Sequence, residues 1–265
     1  MTRMNKMTNI LAKAAMTLIS AVVIAVAVPS FGFTSLAASN TSKGRATGYR
    51  ASERAAMEMF WEEAFNASPD SNGMVTVRYS GSDMSKILKY GTYEYNLGSI
   101  MDTKEFSWNG NTGSFRADGR VAKAAAEHRA VEAWIAQRTA GLAPTEESVR
   151  GLFVELASST SYDNGIHYWG ANGLLNNRSG ICHDYATLFN RCLQSMGIES
   201  YYVRGRVNGN SASEHAWNAF VLDGRVFTVD VCFAAAESGA EAMAKYFVED
   251  GSMTLGGSRS VIEVY

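Results

Sequence analysis

Residues 215–233 contain the feature that most restricts the fold, a two-residue turn between two strand-forming runs. Both runs are rich in β-branched and aromatic residues, and they meet at Asp223-Gly224, a pair that favours a type I′ hairpin turn. A two-residue turn sets the register, so Leu222 faces Arg225 and each further pair lies one residue outward on both strands. The segment therefore predicts an antiparallel hairpin.

The predicted register brings His215 and Asp230 onto one face of this hairpin. Side chains alternate between the two faces of a strand, so His215 and Trp217 share a face with Asp230. His215 and Asp230 are then diagonal neighbours, within reach of a side-chain hydrogen bond. The apolar and aromatic residues around them predict a semi-buried pair in which Asp230 orients one imidazole tautomer. In the same register Cys232 faces the side of His215.

A second segment, residues 180–197, predicts a buried helix with a cysteine in its first turn. Apolar residues recur at helical spacing back to Cys182, and Gly197 is expected to end the helix. A thiol at a helix N-terminus lies at the positive end of the dipole, which favours the thiolate. Taken alone, Cys182 would be interpreted as a small core residue. Together with the His215–Asp230 pair it completes the parts of a thiol acyl-transfer triad.

Several short motifs make the chain similar to the transglutaminase-like superfamily, relatives of papain. They lie in order within residues 145–235 as Arg178-Ser-Gly-Ile-Cys182, Tyr185-Ala186, Leu188-Phe189, Met196-Gly197-Ile198, Tyr202-Val203-Arg204-Gly205, His215-Ala-Trp-Asn218, Asp223-Gly224 and Val229-Asp230. The resemblance implies an α+β fold of the papain-like kind, in which a helical lobe with the nucleophile helix packs on an antiparallel β-sheet. It also implies that Cys182 is the nucleophile, His215 the general base and acid, and Asp230 the orienting carboxylate.

The chain departs from the superfamily two residues after the aspartate. Members commonly have Thr there, whereas this chain has Cys232, which is therefore a second candidate thiol beside the site. Cys182 is favoured as the nucleophile because only Cys182 begins a helix. A disulfide between Cys192 and Cys232 is a possible but disfavoured alternative. Cys192 lies about 15 Å along its helix from Cys182, whereas Cys232 is expected beside the triad.

An oxyanion hole needs a donor besides the backbone N–H of the nucleophile. The candidates for this donor or for the cleft are Asn176, Tyr168 and Trp169. Trp217 is a candidate wall of the thiol site. Each of them also has a purely structural interpretation, as a loop residue or a packing residue.

A zinc site is the rival chemistry for the same residues. Cys182, His183, His215 and Cys232 are the candidate ligands, but the closely spaced ligand pairs of structural zinc sites are missing. We therefore expect no metal and no cofactor. His183 is expected to lie at the surface or at the rim of the site.

The beginning of the chain predicts an export signal. Three basic residues, Arg3, Lys6 and Lys13, precede an apolar stretch without charged side chains, and small residues around Ala37 and Ala38 form a cleavage site. An uncleaved membrane anchor is the alternative, because the stretch is nearly long enough to span a bilayer. Cleavage would leave a secreted or cell-envelope protein without stable membrane insertion, as in a bacterial exported protein.

We expect three regions along the chain. Residues 1–37 are the signal peptide, 38–116 an N-terminal accessory region of helix and strand, and 117–265 the transglutaminase-like catalytic domain. Helices are predicted over 52–67, 82–89, 121–138 and 146–158, and a strand over 74–79. Thr145 is expected to cap the helix that begins at Glu146.

The expected function is thiol-dependent acyl transfer on protein or peptide amides by a secreted enzyme. Cross-linking, deamidation and hydrolysis share one Cys thioester and differ in what attacks it. A secreted cysteine peptidase and a non-catalytic cell-envelope binding module on the same fold are the alternatives. The net charge of −2 argues against a nucleic-acid partner, because such proteins need a basic face to displace counterions.

Overall fold

The computed structural model of the 265-residue chain describes residues 51–81, 87, 91, 106–117, 120–163, 165, 170–208, 214–237 and 239–265. The expected export segment, most of the helix expected over 82–89, and the candidates Tyr168 and Trp169 lie outside the described residues. Within the described ranges, no helix combines the length and the apolar character needed to cross a membrane.

Helices and strands follow one another from residue 51 onward. The helices are α1 (Ala51–Asn66), α2 (Arg120–Thr139), α3 (Glu146–Ser159), α4 (Gly170–Asn177), α5 (Cys182–Ser195), α6 (Val231–Glu237) and α7 (Ala240–Lys245). The strands are β1 (Met74–Arg78), β2 (Phe106–Asn109), β3 (Thr112–Arg116), β4 (Ser161–Tyr162), β5 (Ser179–Gly180), β6 (Ser200–Val207), β7 (Glu214–Leu222), β8 (Arg225–Val229), β9 (Phe247–Glu249) and β10 (Arg259–Val264). The helices predicted over 52–67, 121–138 and 146–158 and the strand over 74–79 are confirmed to within a residue or so at each end. The predicted cap is confirmed as well, since Thr145 accepts the N–H of Ser148 at 3.3 Å.

Two antiparallel sheets and one short parallel ladder organise the described strands. The larger sheet has five strands in the order β10-β6-β7-β8-β9, and the smaller one has three in the order β1-β3-β2. β4 and β5 pair in parallel. Helix α5 packs against β6 and β7 of the five-stranded sheet. The predicted fold class is confirmed: a helical lobe that includes the cysteine helix packs on an antiparallel β-sheet.

The apolar side chains form two main cores. One lies between α1, the three-stranded sheet and the beginning of α2, and it includes Trp61 and Ala124. The other lies between the five-stranded sheet and helices α2 to α6, and it includes Ile135 and Phe189. Helix α2 thus contributes to both cores, and the expected boundary at residues 116–117 stays a prediction.

The predicted hairpin has the register that its turn required. Leu222 pairs with Arg225, and the ladder continues outward one residue at a time to Asn218 and Val229. Asp223 and Gly224 both have positive φ, 52° and 75°. A type I′ turn needs this backbone conformation at both central residues, and it is the reason for the Asp-Gly preference.

The prediction that the strand continues as far as Cys232 was wrong. Strand β8 ends at Val229, and helix α6 begins two residues later. The cause is Asp230, whose side chain accepts the N–H of Phe233 at 3.0 Å and so caps the new helix. Cys232 consequently lies buried in the first turn of α6. The expectation that only Cys182 begins a helix was therefore wrong, and exposure is what distinguishes the two thiols, since Cys182 is partly exposed.

Candidate active site

Cys182 is the first residue of α5 and is partly exposed. The turn before it is anchored by the Asp184 carboxylate, which accepts the N–H of Ile181 at 3.1 Å and that of Gly170 at 2.6 Å. Asp184 is fully buried. The sequence analysis did not single it out, although an acidic residue in the first turn of a helix is a recognised stabilising signal.

His215 lies near the beginning of β7 and is 7% exposed. Its Nε2 atom is 2.7 Å from Oδ2 of Asp230, and its side chain also hydrogen-bonds Cys182. Since Nε2 faces the carboxylate, Nδ1 is the nitrogen available to the thiol. The structure thus brings the three predicted residues together, in the order thiol, imidazole, carboxylate.

A buried amide ties the cysteine helix to the histidine strand. Asn218, three residues after His215 on β7, donates from Nδ2 to the Ala186 carbonyl of α5 at 2.9 Å. The same amide nitrogen lies 3.3 Å from the Tyr201 carbonyl on β6. A buried amide held by two carbonyls resists sliding of the helix along the sheet, because either displacement would leave a buried donor unsatisfied.

The charges of the His215–Asp230 pair stabilise each other. Burial alone favours the neutral imidazole, but the charge of Asp230, its hydrogen bond and the contact with Cys182 outweigh it and raise the pKa of His215 to about 10. Burial likewise opposes ionisation of Asp230, yet His215, Arg259 and the Phe233 N–H lower the pKa of its carboxyl. The pair is therefore an imidazolium and a carboxylate at neutral pH.

Two aromatic rings enclose the imidazole. Trp217 stacks at 6.0 Å between ring centroids, and Phe233 lies tilted at 4.5 Å. The indole N–H of Trp217 is held by the Met253 carbonyl at 3.0 Å. Trp217 thus packs beside His215 with its N–H already engaged, and its expected role as a wall of the thiol site stays a prediction.

Arg259 is a contact of Asp230 that the sequence analysis missed. Its guanidinium donates to Oδ2 at 2.9 Å, and its side chain is 3% exposed. It lies 29 residues beyond Asp230, at the beginning of β10. No local pattern signals this contact, because it depends on the pairing of β10 with β6.

The other two thiols, those of Cys192 and Cys232, are buried, and their pKa values are raised. All three cysteines are free, so the disulfide considered between Cys192 and Cys232 is not formed in this structure. Burial raises the pKa of Cys192 to about 12. Burial and the charge of Asp230 raise the pKa of Cys232 well above its usual value. Neither thiol forms a thiolate readily at neutral pH.

The remaining predicted residues have mixed outcomes. Asn176 is exposed on α4, and its role as an oxyanion donor stays a prediction. The prediction that His183 lies at the surface was wrong, because it is 6% exposed and its Nδ1 lies 2.8 Å from the Tyr202 hydroxyl. Tyr202 lies on β6, so the His183 side chain lies between α5 and β6. Among the described residues, no three His, Cys, Asp or Glu side chains gather in a metal-binding group.

Comparison with family models supports the resemblance read from the motifs. Residues 125–231 match the model of the Transglutaminase-like superfamily. The matching segment contains Cys182, His215 and Asp230, and it ends before Arg259. A search of the curated proteins found no match.

Three solved structures have partial similarity to this chain. A structure titled as a TGase is 16% identical with a TM-score of 0.38, over 69% of this chain and 54% of that one. A provisionally assigned cysteine protease from Cytophaga hutchinsonii is 14% identical with a TM-score of 0.35, over 51% of this chain and 46% of that one. An arylamine N-acetyltransferase from Bacillus cereus, titled as having a Cys-His-Glu triad, is 14% identical with a TM-score of 0.32, over 39% and 49%. The chain thus spans about half the length of each structure.

Proposed function

We propose that this protein is an exported cysteine enzyme that transfers acyl groups from protein or peptide amides through a Cys182 thioester. The observation that carries the proposal is the contact chain from Cys182 through His215 to Asp230, with the acid buried and the thiol partly exposed. A partly exposed nucleophile beside an oriented imidazole is what thiol acyl transfer requires.

In the proposed reaction, the Cys182 thiolate attacks the carbonyl carbon of a carboxamide. The C–N bond of the tetrahedral intermediate then breaks, and the His215 imidazolium gives its proton to the departing ammonia or amine. A thioester remains on Cys182. An incoming amine or water attacks it, gives a proton to His215 and releases the thiolate, while Asp230 keeps its negative charge throughout.

The first experiment measures how fast Cys182 is alkylated. Limiting iodoacetamide is applied briefly near pH 6 to the wild type and to His215→Ala, followed by intact-mass measurement and peptide mapping. A thiol of ordinary pKa, about 8.5, is almost wholly protonated at that pH. We expect rapid labelling of Cys182 alone in the wild type, and slow labelling in His215→Ala.

Labelling of Cys232, or a Cys182 that resists the reagent in the folded wild type, would contradict the proposed triad. The non-catalytic cell-envelope binding module would then be the better interpretation. If Cys182 is labelled as expected, unlabelled wild-type protein is tested in three assays of the acyl acceptor. They measure incorporation of a fluorescent primary amine, conversion of a glutamine amide to the acid, and peptide cleavage. These assays separate cross-linking, deamidation and peptidase activity.

The proposed export rests on the basic, apolar and small-residue pattern of residues 1–37. N-terminal sequencing of protein recovered outside expressing bacteria should begin at residue 38 or 39. A chain that keeps residue 1 and sediments with the membrane fraction would support the membrane-anchored alternative.

A further inference from the structure

Arg259 shares one carboxylate oxygen with the imidazole of His215. Its Nη2 atom lies 2.9 Å from Asp230 Oδ2, the same oxygen that His215 Nε2 contacts at 2.7 Å. The arginine is almost completely buried, so neither the guanidinium nor the carboxylate is stabilised by bulk water. A buried ion is stabilised by its charged partners, and Asp230 has two of them, His215 and Arg259.

Arg259 also contacts the aromatic ring that packs on His215. The guanidinium carbon lies 4.5 Å from the Phe233 ring centroid, a cation–π distance. The same ring lies 4.5 Å from the imidazole, and the Phe233 N–H donates to the second Asp230 oxygen. Arg259 thus touches two of the groups that pack on or bind His215, Asp230 and Phe233.

The backbone that carries Arg259 is held in several ways. Residue 259 pairs with Val207 of β6, and its N–H donates to the Thr254 carbonyl at 2.9 Å. The preceding turn is organised by Asp250, whose carboxylate accepts the N–H groups of Ser252, Thr254 and Gly256. The backbone position from which Arg259 reaches Asp230 is therefore fixed by contacts other than the ion pair itself.

Arg259 supplies the positive charge that offsets Asp230 when the thiolate forms. The other titratable groups that act on Asp230 and His215 are Cys182 from α5 and Cys232 from α6. Asp184 acts on Cys232, Tyr162 interacts with both thiols, and Arg259 itself also interacts with Cys232 and Glu237. Without Arg259, a thiolate, an imidazolium and Asp230 would together leave one negative charge in the core, and such a charge is unfavourable.

We propose that Arg259 is a positioning residue of the site, which holds the Asp230 carboxylate and, through it, the His215 imidazole beside Cys182. The inference rests on the proposed function, because it assigns Arg259 to that reaction. Arg259 does not touch the reacting atoms. It lies outside the segment that matches the superfamily model.

The test is the pH profile of Cys182 alkylation in the full chain. Arg259→Met keeps an unbranched apolar stem and removes the charge, Arg259→Gln keeps an N–H donor without charge, and Arg259→Lys restores a cation. The matched control is Arg204→Met, which removes the ion pairs of part-buried Arg204 with Glu263 of β10 and with Glu214 of β7, neither of which involves Asp230. Near-UV circular dichroism shows which variants are folded.

We expect the labelling rate of Cys182 near pH 6 to fall about tenfold or more in Arg259→Met and Arg259→Gln, with the profile moved to higher pH. Arg259→Lys should recover most of the rate, and Arg204→Met should match the wild type. The glutamine variant gives the same comparison if the methionine variant does not fold.

Two results would overturn the inference in distinguishable ways. A folded Arg259→Met or Arg259→Gln variant whose profile overlays that of the wild type would limit Arg259 to a structural role and leave the proposed function standing. A wild type whose Cys182 labelling does not depend on His215 would remove the proposed function, and the role of Arg259 with it.

Discussion

Each residue of the site takes its character from burial and from its immediate neighbours. Asp230 has two local functions, since one oxygen binds the imidazole and the other caps α6. One side chain therefore both ends a strand and orients a histidine. The short sequence Val229-Asp230-Val231 has to serve both requirements, which restricts what can replace the aspartate.

The two thiols near the site provide a prediction at this scale. Cys182→Ser should abolish both labelling and acyl transfer, whereas Cys232→Ser should keep the wild-type labelling rate to within about threefold. The reason is that burial keeps Cys232 protonated, so its thiolate takes no part. Labelling kinetics and amine incorporation measure both effects. A folded Cys232→Ser variant without activity would contradict the assignment.

At the scale of the elements, the close approach of β6, β7 and β10 holds the histidine in place. Gly205 of β6 lies opposite His215 in the ladder and also pairs with Val261 of β10. A Cβ atom at this glycine would lie 2.1 Å from the Ser260 carbonyl oxygen and 2.4 Å from the Trp217 ring. Only a residue without a side chain allows the three strands to pack in this way.

Gly205→Ala should therefore destabilise the fold and disturb the site. The clash includes backbone, which cannot rotate away, so we expect a loss of about 1–3 kcal/mol in the free energy of unfolding. Labelling of Cys182 should slow as well, because Trp217 packs on His215. Chemical denaturation measures the first effect, and iodoacetamide kinetics the second.

Gly151→Ala is the matched control for this substitution. Gly151 lies within α3, and a Cβ there would meet no atom within 4 Å. Alanine favours a helix over glycine by up to about 1 kcal/mol. We expect this variant to be at least as stable as the wild type and to label normally. Equal stability losses in the two variants would show that the crowding at Gly205 is not the cause.

For the molecule as a whole, the buried imidazolium makes stability depend on pH. The pKa of His215 is raised from 6.5 to about 10 in the folded state. The stability that the folded state gains from the protonated ring is thus complete below about pH 6.5 and is lost as the pH rises towards 10. The slope from one proton is at most about 1.4 kcal/mol per pH unit.

The wild type should therefore lose stability between pH 7 and 10 more steeply than His215→Gln, a variant that carries no titrating ring. Denaturant unfolding at several pH values measures the difference between the two curves. Parallel curves over this range would contradict the charged state assigned to His215. Titrating groups far from the site affect both proteins alike, so the difference reports the ring together with the groups coupled to it.

The chain itself determined the elements whose signals are local. Asp223-Gly224 set the hairpin and its register because a two-residue turn allows one pairing, and apolar spacing predicted α5 with Cys182 in its first turn. The approach of His215 to Asp230 followed from strand alternation and needed no long-range information. Most of the proposed triad was readable for this reason.

Only the tertiary structure decided which groups surround that triad. The helix that buries Cys232 begins where the Asp230 side chain caps it, and the alternation of side chains along a strand does not predict such a cap. The second charged partner of Asp230 is Arg259, from a strand that pairs on the far side of β6, so the contact depends on the order of strands in the sheet. His183 was buried by the packing of α5 on that sheet. Sequence periodicity specifies the faces of single elements, whereas contacts between distant elements appear only when those faces close into a core.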